Sequence, residues 1–372
     1  MIENISSHKG RSLRIGVVGT AKNTGKTTTL VALLSEAGKN GLHPAITGIG
    51  YDGEAIDNLT FLPKPRVDVS PGFIIGTAKE CVFRATAKSE LLEDSEEDAS
   101  LGIVELVRIS SSGRILLVGP NNAHALDRVL LLMDKYSPLI LIDGALGRMV
   151  PMSAADAVIF ATGAARTNDI RLLADEMKAI QDVFSLDSFP RISQLPEMPE
   201  RVTVYDGNNR ALYCHFSSLL GSEDVFSLRE LLKPGISRIA IPGAVSASCL
   251  NSLLESHGAF LNGVVFYFSS PAVLLAGGNP LEVKEILDKI QDCGAIAAYH
   301  KPLPILAVTI NPFYPKPAKR RGFFDPAYVE EEKLLHEFTR CLSVPVFNII
   351  KQGAAELFDL VRLYLQNEVI KK

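Results

Sequence analysis

Lys26, Thr27, Asp52 and Asp143 are the residues of this chain whose types and settings point to phosphate chemistry. Lys26 and Thr27 belong to Gly19-Thr20-Ala21-Lys22-Asn23-Thr24-Gly25-Lys26-Thr27-Thr28, which follows the apolar run Ile15-Gly16-Val17-Val18 and precedes a helical pattern. A phosphate-binding loop requires that order. The strand delivers the chain to a sheet edge, and backbone N–H groups from Thr20, Ala21, Asn23, Thr24 and Gly25 would turn inward around phosphate oxygens. The helix that begins at Thr28, just after Lys26 and Thr27, aims its positive end at the same anion. Lys26 would contact the β- and γ-phosphates, and the Thr27 hydroxyl would ligate Mg²⁺.

The spacing departs from the strict Walker A pattern, because Thr20 stands at its first glycine position and Gly19 lies one residue further back. The strand–loop–helix context that the motif demands is nevertheless present. Asp143 follows Leu139-Ile140-Leu141-Ile142, where a Walker B carboxylate would hold Mg²⁺ directly or through water. Asp52 follows the second strand pattern and would converge on the loop as a further metal-shell or water-orienting acid, with Glu54 a weaker candidate. Ligands of open parallel sheets gather at the carboxyl ends of strands, which suits both placements. Asp-Gly is also an ordinary turn pair, so a turn role is the competing reading. Lys22 would add positive charge near a transferred phosphate; the alternative is a lysine facing solvent.

These residues need a scaffold, and the chain has the means to build one. It has 372 residues, 47% of them hydrophobic and 22% charged, which suits a globular protein of two domains. A net charge of −4 offers no general attraction to nucleic acid. Residues 1–12 are polar, so no secretory signal is expected, and no run reaches the ~18 apolar residues of a membrane span. Five scattered cysteines without CxxC pairs read as reduced thiols of a cytoplasmic protein. His300 and His336 are isolated, and Cys249 lacks the glycines of a nucleophile elbow and reads as a buried thiol.

Strand and helix patterns alternate along the chain. Helices are expected at 28–39, 127–136, 247–255, 281–291 and 354–366, and strands at 45–49, 114–120, 139–144, 157–161, 202–205, 237–241, 263–268, 305–310 and 344–350. Strands apolar throughout and separated by helices indicate a parallel sheet covered on both faces. The acid-rich run from Glu90 to Asp98 reads as a solvated loop, and the proline-rich stretch 184–199 as a linker. The expected organisation is therefore a P-loop NTPase parallel sheet over 1–190, followed by a second α/β domain over 200–372. The basic stretch Lys316 to Arg321 reads as a solvated loop, with partner docking or phosphate sensing the alternative.

The loop resembles those of dethiobiotin synthetase and the cobyrinic acid amide synthetases. A closer likeness spans residues 15–82. Beyond the loop it includes Thr47-Gly48-Ile49-Gly50-Tyr51-Asp52-Gly53-Glu54, Pro63-Lys64-Pro65-Arg66-Val67, Gly72 and Thr77-Ala78. Those blocks are similar to the ATP-binding reactivase subunits that serve adenosylcobalamin-dependent lysine 5,6-aminomutase. The likeness implies a Mg²⁺- and ATP-dependent ATPase that promotes exchange of damaged cobalamin in an aminomutase partner, with a second reactivase subunit a possible companion. ATP rather than GTP follows from this likeness alone. Two other readings stay open. One is a dethiobiotin-synthetase-like carboxylate ligase, with Lys64 and Arg66 available to an anionic substrate; the other is a nucleotide-dependent scaffold without catalysis.

Overall fold

The computed structural model describes residues 11–50, 66–120, 122–186, 197–276, 278–318 and 324–370. Its chain forms two compact units that are not consecutive in sequence. The first comprises residues up to Ala145, Ala154–Leu173 and the chain from Ile305 onward; the second comprises Leu146–Ser153 and Ala174–Pro304.

The first unit is a mixed α/β structure on a nine-stranded sheet. Its strands lie in the order Val346–Phe347, Ile305–Asn311, Ala157–Gly163, Leu13–Gly19 (β1), Leu139–Ala145, Ala45–Gly48 (β2), Ile74–Ala78, Gly102–Ser111 and Lys88–Ala99. Neighbouring strands from Val346–Phe347 through Ile74–Ala78 pair in parallel, whereas the last two pairings are antiparallel. The sheet is therefore mixed rather than purely parallel.

Every residue of β1 is buried, as a central parallel strand requires. Ile15 and Val17 share a core with Leu30, Leu33 and Leu34 of the first helix (α1, Lys26–Lys39) and with Leu357, Phe358 and Val361 near the C-terminus. The opposite face is covered by helix Ala123–Met133. A Cβ on Gly76 would lie 3.3 Å from Met133 Sδ and 3.4 Å from Val129 Cγ1, while its neighbour Ile75 belongs to the α1-side core. Alternation along a strand places those two residues on opposite faces. Arg14 is the polar exception in β1. Only 4% exposed, it pairs with Asp134 at 3.0 Å, so its charge is buried with a partner.

The second unit contains a five-stranded sheet ordered Ala211–Tyr213, Thr203–Asp206, Ile236–Ile241, Val265–Phe268 and Ile296–Tyr299. The last three strands are parallel and the first two pair antiparallel. Helices Ala247–His257 and Pro280–Asp292 fall where their apolar periodicity predicts.

Several expectations need correction. The division into 1–190 and 200–372 fails because strand Ile305–Asn311 joins the first sheet beside Ala157–Gly163. Of the strand expected at 114–120, only Gly113–Ile115 is strand, and it pairs with Val67–Val69 outside the large sheet. The strand expected at 344–350 shrinks to Val346–Phe347, because the Asn348 side chain caps a helix that begins at Ile349. The acid-rich run is no loop: Lys88–Ala99 is the last strand of the large sheet. It is held by Arg128 on Glu97, and by Lys135 and Tyr136 on Glu93. Acids on an edge strand also discourage pairing with other chains.

Desolvation, and then the hydrogen bond to the Glu93 carboxylate, push the Tyr136 phenol up to about 12 from 10.0. Folding thus favours the neutral phenol. Its stabilisation is complete below the unfolded value and is lost as pH rises through the 10–12 window. Denaturant unfolding across that window should show wild type losing more stability than Tyr136→Phe; parallel losses would refute the assignment.

Candidate functional site at the carboxyl edge of the large sheet

The site is built where β1 ends and α1 begins. Parallel register sets Val17 beside Asp143 and Gly19 beside Ala145, so Asp143 reaches the sheet edge together with the loop. Lys26, in the first turn of α1, sends Nζ to Asp143 Oδ2 at 2.8 Å. Its stem passes over Gly19, where a Cβ would lie 3.3 Å from Lys26 Cβ and 3.4 Å from Cδ. A side chain at position 19 would crowd the path that the lysine takes back over the loop.

The loop itself is tied by several hydrogen bonds. Thr20 N donates to Ala161 O at 3.0 Å, and Thr20 Oγ1 donates to Thr162 Oγ1 at 2.8 Å. Arg166 Nη1 donates to Thr20 O at 2.8 Å, and Thr24 Oγ1 donates to Ala21 O at 2.9 Å. Asn311 Nδ2 donates to Asn23 O at 3.0 Å. Asn23 and Gly25 both adopt left-handed backbone, with φ of 63° and 93°. Such residues reverse successive peptides and bring N–H groups onto one concave side, the geometry that binds anions. Gly25 leaves the α1 N-terminus without a side-chain cap. One turn into the helix, Thr29 and Thr309 join their hydroxyls at 2.8 Å.

The residues expected from sequence fall as follows. Thr20 and Thr24 are buried structural members of the loop; Ala21, Gly25, Lys26 and Thr27 are half-buried; Lys22, Asn23 and Thr28 are exposed. Lys26 and Asp143 are brought together in a direct ion pair. Asp52, Glu54 and Lys64 lie outside the described residues, and Arg66 is exposed. Arg166, Asn311, Thr162 and Thr309 were not anticipated. The rule that led to Asp143, attention to the carboxyl ends of apolar strands, also points to Asn311 and to the turn carrying Arg166.

Asp143 Oδ1 is buried and has no hydrogen-bond partner among the described residues. An orphaned buried carboxylate oxygen is costly unless something else satisfies it. A hard divalent cation fits that oxygen, and the Thr27 hydroxyl is of the right chemistry to join it. Among the described residues no group of three or more His, Cys, Asp or Glu could hold a metal. Mg²⁺ does not need such a group, since it commonly takes one or two carboxylates and completes its shell with phosphate and water.

In the second unit Cys249 is buried at 5% exposure, and burial pushes its thiol above the ordinary value despite hydrogen bonds with Ser246 and Ser248. It is poorly suited to nucleophilic chemistry. No described helix is long and apolar enough to cross a membrane. No protein-family model matches this chain, and no curated protein matches it.

Gly25→Ala would force a side chain into left-handed backbone, with its Cβ 3.4 Å from Asn311 Cβ. The expected cost is about 1–2 kcal/mol, measurable by denaturant unfolding. An unchanged midpoint would mean that the loop does not depend on this turn.

Proposed function

We propose that this protein is a P-loop ATPase that binds Mg²⁺ and ATP at the 20–28 segment and reactivates an adenosylcobalamin-dependent aminomutase. The ATPase half rests above all on the Lys26–Asp143 pair, which joins the first turn of α1 to the strand beside β1. With nucleotide present, Lys26 Nζ exchanges its carboxylate partner for β- and γ-phosphate oxygens, and the loop N–H groups take the remaining anionic oxygens. Asp143 and the Thr27 hydroxyl would hold the cation. Mg²⁺ bound there would neutralise charge on the phosphates. Water attacks the γ-phosphorus as its bond to the bridging oxygen breaks, leaving ADP and inorganic phosphate and releasing the water's proton to solvent.

The reactivase half rests on the likeness of residues 15–82 described above. Nucleotide can open a partner only through different affinities of this protein for the partner's open and closed forms. ATP and ADP states of the site would supply that difference, releasing damaged cobalamin and admitting intact cofactor. A cytoplasmic location suits such a partner.

ATP hydrolysis measured with and without a cobalamin-inactivated lysine 5,6-aminomutase tests both halves. The expected result is stimulated turnover with recovery of mutase activity, and loss of at least about 100-fold of that turnover in Lys26→Ala. Turnover blind to the mutase overturns the reactivase half. Failure to bind or hydrolyse ATP at all overturns the whole reading.

A further inference from the structure

Asn311 joins the loop to a part of the fold that the ATPase reading does not use. It is the last residue of strand Ile305–Asn311, and its backbone is fixed by the neighbouring strand. Asn311 O accepts from Ala164 N at 2.9 Å, and Gly163, its register partner, has no room for a side chain. A Cβ on Gly163 would come within 2.2 Å of Asn311 O. From that anchor the side chain uses both ends of its amide. Nδ2 donates to Asn23 O at 3.0 Å, and Oδ1 accepts from Phe313 N at 3.1 Å. A flipped amide would oppose oxygen to oxygen and NH₂ to N–H, so the two contacts fix one orientation.

Each contact has a structural consequence. Carbonyl and N–H of a trans peptide point in opposite directions, so holding Asn23 O against Asn311 turns Thr24 N–H away from it. That constraint acts on the left-handed residue Asn23, where the chain has no glycine to relieve strain. The other contact begins a two-stranded antiparallel ribbon, Phe313–Pro317 with Phe324–Tyr328. Its base is closed by Val329 N donating to Pro312 O at 3.0 Å and by the Phe313 and Tyr328 rings, 5.8 Å apart and inclined at 64°. One side chain thus bonds both the loop and the first residue of the ribbon.

We propose that Asn311 is a positioning residue, which holds the 20–25 loop in its phosphate-accepting turn and couples occupancy of that loop to the ribbon formed by 313–317 and 324–328. The proposal rests on the reading of this loop as the ATP site. When phosphate oxygens draw the loop N–H groups inward, the Asn23 peptide rotates against the Asn311 amide, and the shared amide passes that movement to Phe313.

The chain has no tryptophan, and Tyr328 is 67% exposed, so Tyr328→Trp places a single reporter at the base of the ribbon. Equilibrium dialysis with labelled ATP and Mg²⁺ first gives the affinity of this reporter protein, independently of fluorescence. If no ATP binds there, the nucleotide reading itself falls and the proposal with it. If ATP binds, the emission should change on saturation. Adding Asn311→Ala should weaken ATP binding roughly tenfold, the worth of a neutral hydrogen bond at its upper range, and abolish the emission change at saturating ATP. Asn311→Asp keeps the acceptor for Phe313 N but loses the donor for Asn23 O, and should likewise weaken binding and silence the reporter. ATP binding with no emission change in the Asn311 protein overturns the coupling. So does an emission change that persists at saturation in Asn311→Ala, and undiminished affinity in both variants overturns the positioning role.

Discussion

Parallel register between β1 and strand Leu139–Ala145 is the constraint on which the site depends. It sets Val17 opposite Asp143, so that a lysine 117 residues away in sequence meets the carboxylate at 2.8 Å. A one-residue slip would reverse which face each side chain serves and carry Asp143 away from Lys26. The register is held by the core beneath it. Ile15, Val17, Leu139 and Leu141 pack in one cluster with the buried face of α1, so displacing either strand would expose apolar surface. The Lys26–Asp143 contact at the carboxyl edge of the sheet and burial at its centre are therefore two results of one pairing.

Around that pairing the fold gathers strand ends from distant parts of the chain. Ala157–Gly163 contributes Thr162 and leads into Arg166, whereas Ile305–Asn311 contributes Thr309 and Asn311. All four hold the loop or the first turn of α1 from the side away from Asp143's strand. The loop is thus bound on one flank by hydrogen bonds to neighbouring strand ends, while Lys26 spans toward the other. Its left-handed residues, Asn23 and Gly25, are held within this surrounding structure.

The large sheet also changes character across its width. Toward Val346–Phe347 its strands are parallel and covered by helices, and they carry the site. Toward Lys88–Ala99 it ends in an antiparallel pair whose outer strand is rich in acids. Acid-rich composition there is compatible with a strand because Arg128, Lys135 and Tyr136 receive Glu97 and Glu93 from the adjoining helical segment. Composition alone suggested a loop; pairing with Gly102–Ser111 made it a strand, whose side chains are almost all at least partly exposed.

Local order in the chain determined the strand–loop–helix at 13–39, the apolar strand that carries Asp143 near its end, and the helices Ala123–Met133, Ala247–His257, Pro280–Asp292 and Ala355–Ile370, because apolar periodicity and turn chemistry act over a few residues; helices such as Ile170–Phe184 and Glu331–Cys341 were not read from it. The placement of Lys26, Thr27 and Asp143 beside strand or helix ends was legible for the same reason. Tertiary structure alone decided that Ile305–Asn311 belongs to the first sheet, and that Arg166 and Asn311 close on the loop. Apolar strands look alike in sequence, and the backbone hydrogen bonds that choose their neighbours carry no side-chain signature. Which strand ends meet is settled only when the whole sheet buries its faces.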